Sequence, residues 1–372
     1  MNGRWHNHPV LRTRVWNGPG WAYDLAEPWL ELIPDAPSAT PFQTWQWHST
    51  WFRHFGRGKR AYVVAVYEGD DLIGLMPLYR TFGPWRALRP MGCGASDYLH
   101  PLARRGLEGQ VAAAIAIHFA ELKGVDLIDL HQIRESEPLA TALMGSIGRN
   151  GQQLNQAACP VLDLPDTFDA YLAGLGKSLR YDVRRMEGKF GQERGLRLVP
   201  FDAGSAHSGM DQLFHFHRLR WRKRGLPGAF VGKRVQAFHR EWSRLAADEG
   251  WLRLSSLFAG DEPVGVIYAM ALGDSCYFYQ SGFDPQFSSL SPGTLLVADA
   301  IRKAIAEGKR HFDFMRGDEP YKRRWKPQRM VHNLRFMAPS GALLGRFAQA
   351  WNGAGFFVEA KIRARLEGHA LP

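Results

Sequence analysis

The residues best equipped for chemistry crowd into "FDFMRGDEPYKRRW", residues 312 to 325, where an apolar run and a Gly turn precede two acids, a Tyr and a run of cations. Asp318 and Glu319 are candidate general bases, and Tyr321 is a candidate proton donor. Arg316, Lys322 and Arg323 are candidates to bind an anionic substrate group or to offset developing charge. The same stretch also reads as a short capped helix, with Asp318 at the N-cap and Glu319 paired to Arg323 across one turn. A second candidate base is His217, which interrupts the apolar face of a helix between Leu213 and Trp221, with Arg220 alongside. A neutral imidazole there suits base chemistry near neutral pH, although a satisfied core histidine gives the same pattern. Asp284, just past "QSGF", is either a turn acid or a substrate ligand.

An anion site is written in "SSLSPGTLL". Ser291 fits an N-cap, Pro292 the first helical position, and Gly293 and Thr294 the first turn, where unpaired N–H groups and the helix dipole favour phosphate. A plain capped helix carries the same letters. Arg302, Lys303, Lys309 and Arg310 further along either meet a phosphate or form a solvated face.

These residues need a scaffold, and the chain has the means for one. Its 372 residues are 45% hydrophobic and 12% aromatic, enough for a sizeable core and for two domains. Forty-seven Lys and Arg against 36 Asp and Glu give +11, which favours anionic partners. Cys93, Cys159 and Cys276 lack metal or disulfide spacing, so neither a zinc site nor a disulfide framework is expected, and a reducing cytoplasm fits. No signal peptide and no apolar run of about 18 residues is read, so the expected location is cytoplasmic, at most peripheral at the inner membrane face.

Two segments repeat. "YEGDDLIGL" (67 to 75) and "FAGDEPVGV" (258 to 266) both read as hairpins around a Gly-Asp turn, 191 residues apart; "GVDLIDL" and "GKRHFDFM" both read as buried strands, 184 apart. The pattern predicts duplication of one fold. In the second half the order is strand, two helices (the first stopping at Gly225), three strands, helix, strand, short helix and strand. That order matches the GCN5-related N-acetyltransferase fold, an α/β (α+β) architecture with a mixed, mostly antiparallel sheet flanked by helices. The expected domains are an N-terminal extension (1–41), a degenerate first copy (42–165), a linker helix (166–195), a second copy (196–340) and an amphipathic tail (341–372).

The runs "FHRLRWRKRGLPGAF", "YFYQSGFDPQFSSLSPGTLL" and "FDFMRGDEPYKRRW", with "PFQTWQWHSTWFRHFG" and "SDYLHPL" in the first half, resemble the CelD/BcsL-type acetyltransferases, which carry tandem domains of this superfamily. A more distant similarity is to the Fem-type peptidoglycan transferases, which use aminoacyl-tRNA. The resemblance implies acetyl-CoA or a longer acyl-CoA as co-substrate, no metal, and an amine- or hydroxyl-bearing acceptor among envelope glycan or lipid precursors, sphingoid bases included. It also implies that Tyr279, Gln280, Ser281 and Gly282 lie along the pantetheine arm, and that Ser291, Gly293 and Thr294 hold the pyrophosphate. Thioester donors are already activated, so positioning, deprotonation and oxyanion stabilisation supply the rate. Two other readings stand beside it: a Fem-like transferase drawing on aminoacyl-tRNA, and a non-catalytic scaffold of a polysaccharide or lipid synthesis complex. Nucleic acid is not an expected partner, whereas an anionic membrane is, because Lys177, Arg180, Arg184, Arg185 and Lys189 line one side of a helix and the tail mixes aromatics with cations.

Overall fold

The computed structural model describes all residues except 1–10, 147–149, 223–227 and 369–372, with backbone alone for 359–368. Two compact units emerge. The first holds the described parts of Met1–Phe52, Gly56–Gln156 and His332–Pro372; the second holds Arg53–Phe55 and Ala157–Val331.

In chain order the first half runs β1 (Leu11–Trp16), α1 (Trp21–Asp24), α2 (Ala26–Leu32), α3 (Trp45–Phe55), β2 (Lys59–Glu68), β3 (Asp71–Thr81), β4 (Ala87–Pro90), β5 (Leu102–Ala103), α4 (Glu108–Glu121), β6 (Leu127–Arg134), α5 (Pro138–Ser146) and β7 (Gln152–Asn155). There follow β8 (Cys159–Asp163), α6 (Phe168–Gly174), α7 (Lys177–Glu187), α8 (Lys189–Glu193), β9 (Leu196–Pro200), α9 (Ala206–Arg222), α10 (Lys233–Asp248), β10 (Leu252–Ala259), β11 (Glu262–Leu272), β12 (Ser275–Phe283), α11 (Pro292–Ala306), β13 (His311–Asp313), α12 (Pro320–Arg323), β14 (Arg329–Val331), β15 (Asn333–Pro339) and α13 (Leu343–Gly368).

The second unit's sheet is ordered β14-β8-β13-β12-β11-β10-β9, and the first unit's β1-β2-β3-β4-β6-β15-β7, with β5 pairing β3. Among the described residues only one strand pair in each is parallel: β12 with β13, and β4 with β6. The predicted repeat is physical. Gly69 and Gly260 both turn their hairpins with positive φ, +64° and +61°. Both hairpins also slip register at a bulge, between Val66 and Tyr67 in one and Leu257 and Phe258 in the other, the same 191 residues apart. At that offset too, Gly74 and Gly265 let a helix approach the sheet: a Cβ on Gly74 would lie 2.5 Å from Val111, and one on Gly265 3.2 Å from Leu296.

Three boundaries differ from expectation. The strand "VHNLRFMA", expected to close the second copy, is β15 and pairs with β6 and β7 in the first sheet. Reciprocally, β8 pairs with β13 and β14 in the second sheet. Each strand is largely buried on both faces, and local patterning does not say which sheet edge it will complete. The expected linker over 166–195 belongs to the second core, because Leu179, Val183 and Met186 join Leu295, Ala298 and Ile301 in one buried cluster. The expected extension over 1–41 supplies edge strand β1 and the buried Trp21, Leu25 and Trp29 of the first unit. The helix stop expected at Gly225 lies outside the described residues.

Candidate active site

The site is set by a strand pair that parts. β12 and β13 run parallel for only three residue pairs, Ser275 with His311, Cys276 with Phe312 and Tyr277 with Asp313. Beyond them β12 continues to Phe283 along β11, while the chain after Asp313 turns towards β8, Phe314 N–H donating to the Pro160 carbonyl and Gly317 N–H to that of Ala158. Tyr279, Gln280, Ser281 and Gly282 thus occupy the strand segment past the parting. A bulge opposite Tyr268 and Ala269 leaves Tyr279 out of the ladder with β11, its ring 5.3 Å from His239 and 5.2 Å from Tyr268. The aromatic alternation is therefore sheet and helix packing. Gln280 Oε1 accepts the neighbouring Ser281 N–H at 3.1 Å. Gly282 relieves crowding against α9, where an added Cβ would sit 2.9 Å from Phe216 Cβ and 3.0 Å from the His217 nitrogen.

α11 begins at Pro292, with no acid in its first turn. Ser291 occupies the N-cap position but not the expected role: its φ is +45°, its side chain caps nothing, and its carbonyl accepts from Thr294 N–H at 2.9 Å and Leu295 N–H at 3.3 Å. A left-handed Ser is a costly conformation that the 3₁₀ turn Pro285–Leu290 imposes from upstream. Gly293 is free to carry a side chain, since a Cβ would meet only the Phe283 ring at 3.5 Å. The turn is half-exposed rather than sealed by packing. Asp284 caps the 3₁₀ turn by accepting Gln286 N–H at 2.9 Å, a structural duty. The cations Arg302 and Lys303 lie near the other end of α11, about 15 Å along the axis from Pro292, Lys309 and Arg310 lie just beyond it, and each has a partner. Arg302 pairs with Glu187 at 2.6 Å, Lys303 with Asp299 at 2.8 Å, Lys309 donates to the Gly273 carbonyl, and Arg310 faces Asp274 at 3.8 Å. They form a paired face rather than a phosphate clamp.

The charged loop is built differently from either sequence reading. Asp313, buried inside β13, accepts Met315 N–H at 2.7 Å, and the chain then turns through positive φ at Met315 (+60°) and Gly317 (+103°). Lys322 is 3% exposed; its ammonium donates to the carbonyls of Met315, Arg316 and Gly317 at 3.2, 2.9 and 3.0 Å and meets Glu319 at 2.8 Å. It is a staple for the loop and not a ligand for substrate. Asp318 is bound in two-pronged fashion by Arg323, which holds its carboxyl below the usual range and weakens it as a base. The N-cap of α12 is Glu319 rather than Asp318, and its side chain does not cap. Tyr321 is 38% exposed as a residue, yet desolvation of its hydroxyl first and the Glu319 charge second push its phenol up, while Arg220 opposes them, so it stays protonated.

His217 is 3% exposed, between the Trp221 ring at 5.7 Å and the Phe230 ring at 4.9 Å. Burial, then Arg220, pulls its imidazole down to about 4. Its Nε2 has no hydrogen-bond partner among the described residues. Arg220 of α9 thus acts electrostatically on both His217 and Tyr321, Glu319 acts on Tyr321, and Gly282 of β12 lies against α9. The structure leaves Asp284 and the 291–294 turn as a separate set beyond the end of β12. Sequence reasoning missed the staple role of Lys322, and only its place three residues after Glu319 hinted at it. Among the described residues no group of His, Cys, Asp or Glu converges to hold a metal.

In the first unit the corresponding helix start is unfit for a diphosphate. Leu107 sits at the N-cap of α4 and Glu108 in its first turn, placing a carboxylate where an anion would bind.

Comparison with known proteins gives the class. Residues 177–323 match the family model described as Acetyltransferase (GNAT) domain. No curated protein matches the chain. Among solved structures, one described as FemX aligns with a TM-score of 0.61 at 10% identity, over 85% of this chain and 96% of its own. A conserved protein of unknown function from Bacteroides thetaiotaomicron aligns with 0.58 at 10% identity, over 88% and 100%. The C-terminal domain of a putative lysylphosphatidylglycerol synthetase from Agrobacterium fabrum aligns with 0.55 at 11% identity, over 88% and 95%. At such identities the likeness is one of fold: two GNAT-like domains in tandem, the second containing the matched acetyltransferase domain. A domain of this kind supports N-acyl transfer, for which acetyl-CoA is the general donor and an amine the acceptor.

Proposed function

We propose that the second unit binds an acyl-coenzyme A and transfers its acyl group to an amine or hydroxyl of a cell-envelope glycan or lipid precursor, sphingoid bases included, in the manner of the CelD/BcsL-type acetyltransferases. The observation that carries this reading is the parting of β12 from β13 after three parallel pairs, followed by the half-exposed, acid-free start of α11. The pantetheine arm enters the gap beside Tyr279–Gly282, and the diphosphate meets the Gly293 N–H and the Thr294 hydroxyl. The acceptor nitrogen or oxygen attacks the thioester carbonyl, forming the new C–N or C–O bond as the C–S bond breaks. Tyr321, protonated at neutral pH, gives its proton to the departing thiolate, and its phenolate takes up the proton that the acceptor loses. The acceptor places a polar group on His217 Nε2, relieving a buried atom that otherwise lacks a partner. Arg220 and Arg316 flank an anionic portion of the acceptor.

Calorimetry with acetyl-, octanoyl- and palmitoyl-coenzyme A tests the donor, with one site per chain expected and the strongest binder setting the acyl length. No binding of any of the three removes the reading. The Fem-like alternative, which has the FemX likeness behind it, predicts instead that aminoacyl-tRNA binds and acyl-coenzyme A does not. The scaffold alternative predicts neither.

A further inference from the structure

α13 packs one face on the first unit through small residues. Ala348 is fully buried, and a Cβ on Gly345 would lie 2.5 Å from the Asp126 carbonyl oxygen. Its opposite face carries large apolar side chains with little over them among the described residues: Leu343 is 85% exposed, Phe347 57%, Trp351 64%, Phe357 51% and Val358 58%. An exposed apolar patch of this kind marks a contact surface. A second segment extends the patch, for the β3–β4 loop presents Phe82 at 62% exposure and leans Trp85 on Phe347, with ring centroids 6.1 Å apart. No acid lies in the first turn of α13, where Arg346 is exposed. Past Val358 the sequence adds Lys361, Arg363 and Arg365 against Glu359 and Glu367.

We propose that this face, α13 together with the Phe82–Trp85 loop, docks on the surface of an anionic lipid bilayer. Trp and Phe suit the headgroup boundary, where an apolar ring meets water, and basic residues at the rim match anionic headgroups. Among the described residues no helix is long and apolar enough to cross a membrane, so the helix lies along the surface. A second copy of the chain fits less well. Leu344, Phe347, Trp351, Ala354 and Val358 follow the spacing of a two-helix seam, but that seam continues into Lys361 and Arg365, and Leu343, Ala350 and Phe357 widen the apolar face beyond it. The inference is independent of the acyl-transfer reading, because the patch lies wholly in the first unit and the measurement uses no substrate.

The full chain is floated with phosphatidylglycerol-containing vesicles, with neutral phosphatidylcholine vesicles, and alone, at low and high salt. Binding to the anionic vesicles that weakens with salt is expected. Phe347→Glu with Trp351→Glu should lower the bound fraction by about tenfold or more. Phe82→Glu, on the other segment, should lower it independently. All three side chains are exposed, so unchanged melting confirms intact folds. Absence of anionic-vesicle binding, equal binding by the variants, or a wild-type dimer that Trp351→Glu converts to monomer would each overturn the proposal.

Discussion

Lys322 shows how a residue that looks like a ligand can be architecture. Its ammonium, 3% exposed, holds three consecutive carbonyls and the partly exposed Glu319, so Lys322→Met leaves half-buried carbonyls without their donor. A loss of about 1–3 kcal/mol is expected, read by chemical unfolding. Asp318→Asn removes a surface pair and should cost only about 0–1 kcal/mol, with turnover changed less than twofold. Tyr321→Phe should keep stability while turnover falls about 100-fold, once the acceptor is known, if the phenol protonates the leaving thiolate. A Tyr321→Phe enzyme of full activity would exclude that role. His217 carries a pH signature. Its folded pKa of about 4 lies below the unfolded value of 6.5, so as pH falls the unfolded chain takes up the proton first. Stability present above pH 6.5 is therefore lost between there and about pH 4, by up to about 1.4 kcal/mol per pH unit for this one group. His48 and His239, both drawn down to about 3 by burial, add in the same direction. His217→Asn should flatten but not abolish the fall in stability between pH 7 and 5; an unchanged slope would mean that the imidazole titrates normally.

At the scale of elements, two glycines of the same neighbourhood have opposite duties. A Cβ on Gly282 would meet Phe216 and the His217 backbone of α9 at 2.9–3.1 Å, so Gly282→Ala should force helix and strand apart and cost about 1–3 kcal/mol, measured by thermal unfolding. Gly293 has room, so Gly293→Trp should melt normally while an indole before α11 blocks the diphosphate; retained acyl-coenzyme A affinity would remove that turn from the site. The contrast also marks what a sequence can convey. Hairpins around Gly69 and Gly260, the helix start at Pro292 and the short strand His311–Asp313 were legible because turn chemistry and periodicity act over a few residues. Left-handed Ser291, the Arg323 grip on Asp318 and the Lys322 staple were not, because each follows from where a neighbouring segment arrives in space. His217 could be singled out from its helical stripe, but its aromatic surroundings at Trp221 and Phe230 appear only when residues 228–230 fold back over α9.

For the whole molecule, the exchange of β8 and β15 sets which stretch of chain is a complete folding unit. The sheet β14-β8-β13-β12-β11-β10-β9 is drawn entirely from residues 159–331, and its core takes Leu162 from β8 along with Leu179, Val183 and Met186 from α7. A fragment cut to the matched span, 177–323, lacks both β8 and β14, leaving the edge of β13 open and Phe312 without Leu162. That open edge invites aggregation. A fragment of 157–331 keeps every strand of the sheet and should fold with cooperative melting and the acyl-coenzyme A affinity of the full chain. The complementary deletion, ending the chain at 331, removes Leu334 and Phe336 from the first core and bares β6. It should unfold the first unit while leaving amide protection in β10, β11 and β12 intact. Hydrogen exchange of that truncated chain distinguishes the outcomes: protection lost throughout both sheets would mean that the second unit cannot stand without the first, and that the strand exchange does not delimit independent folding units.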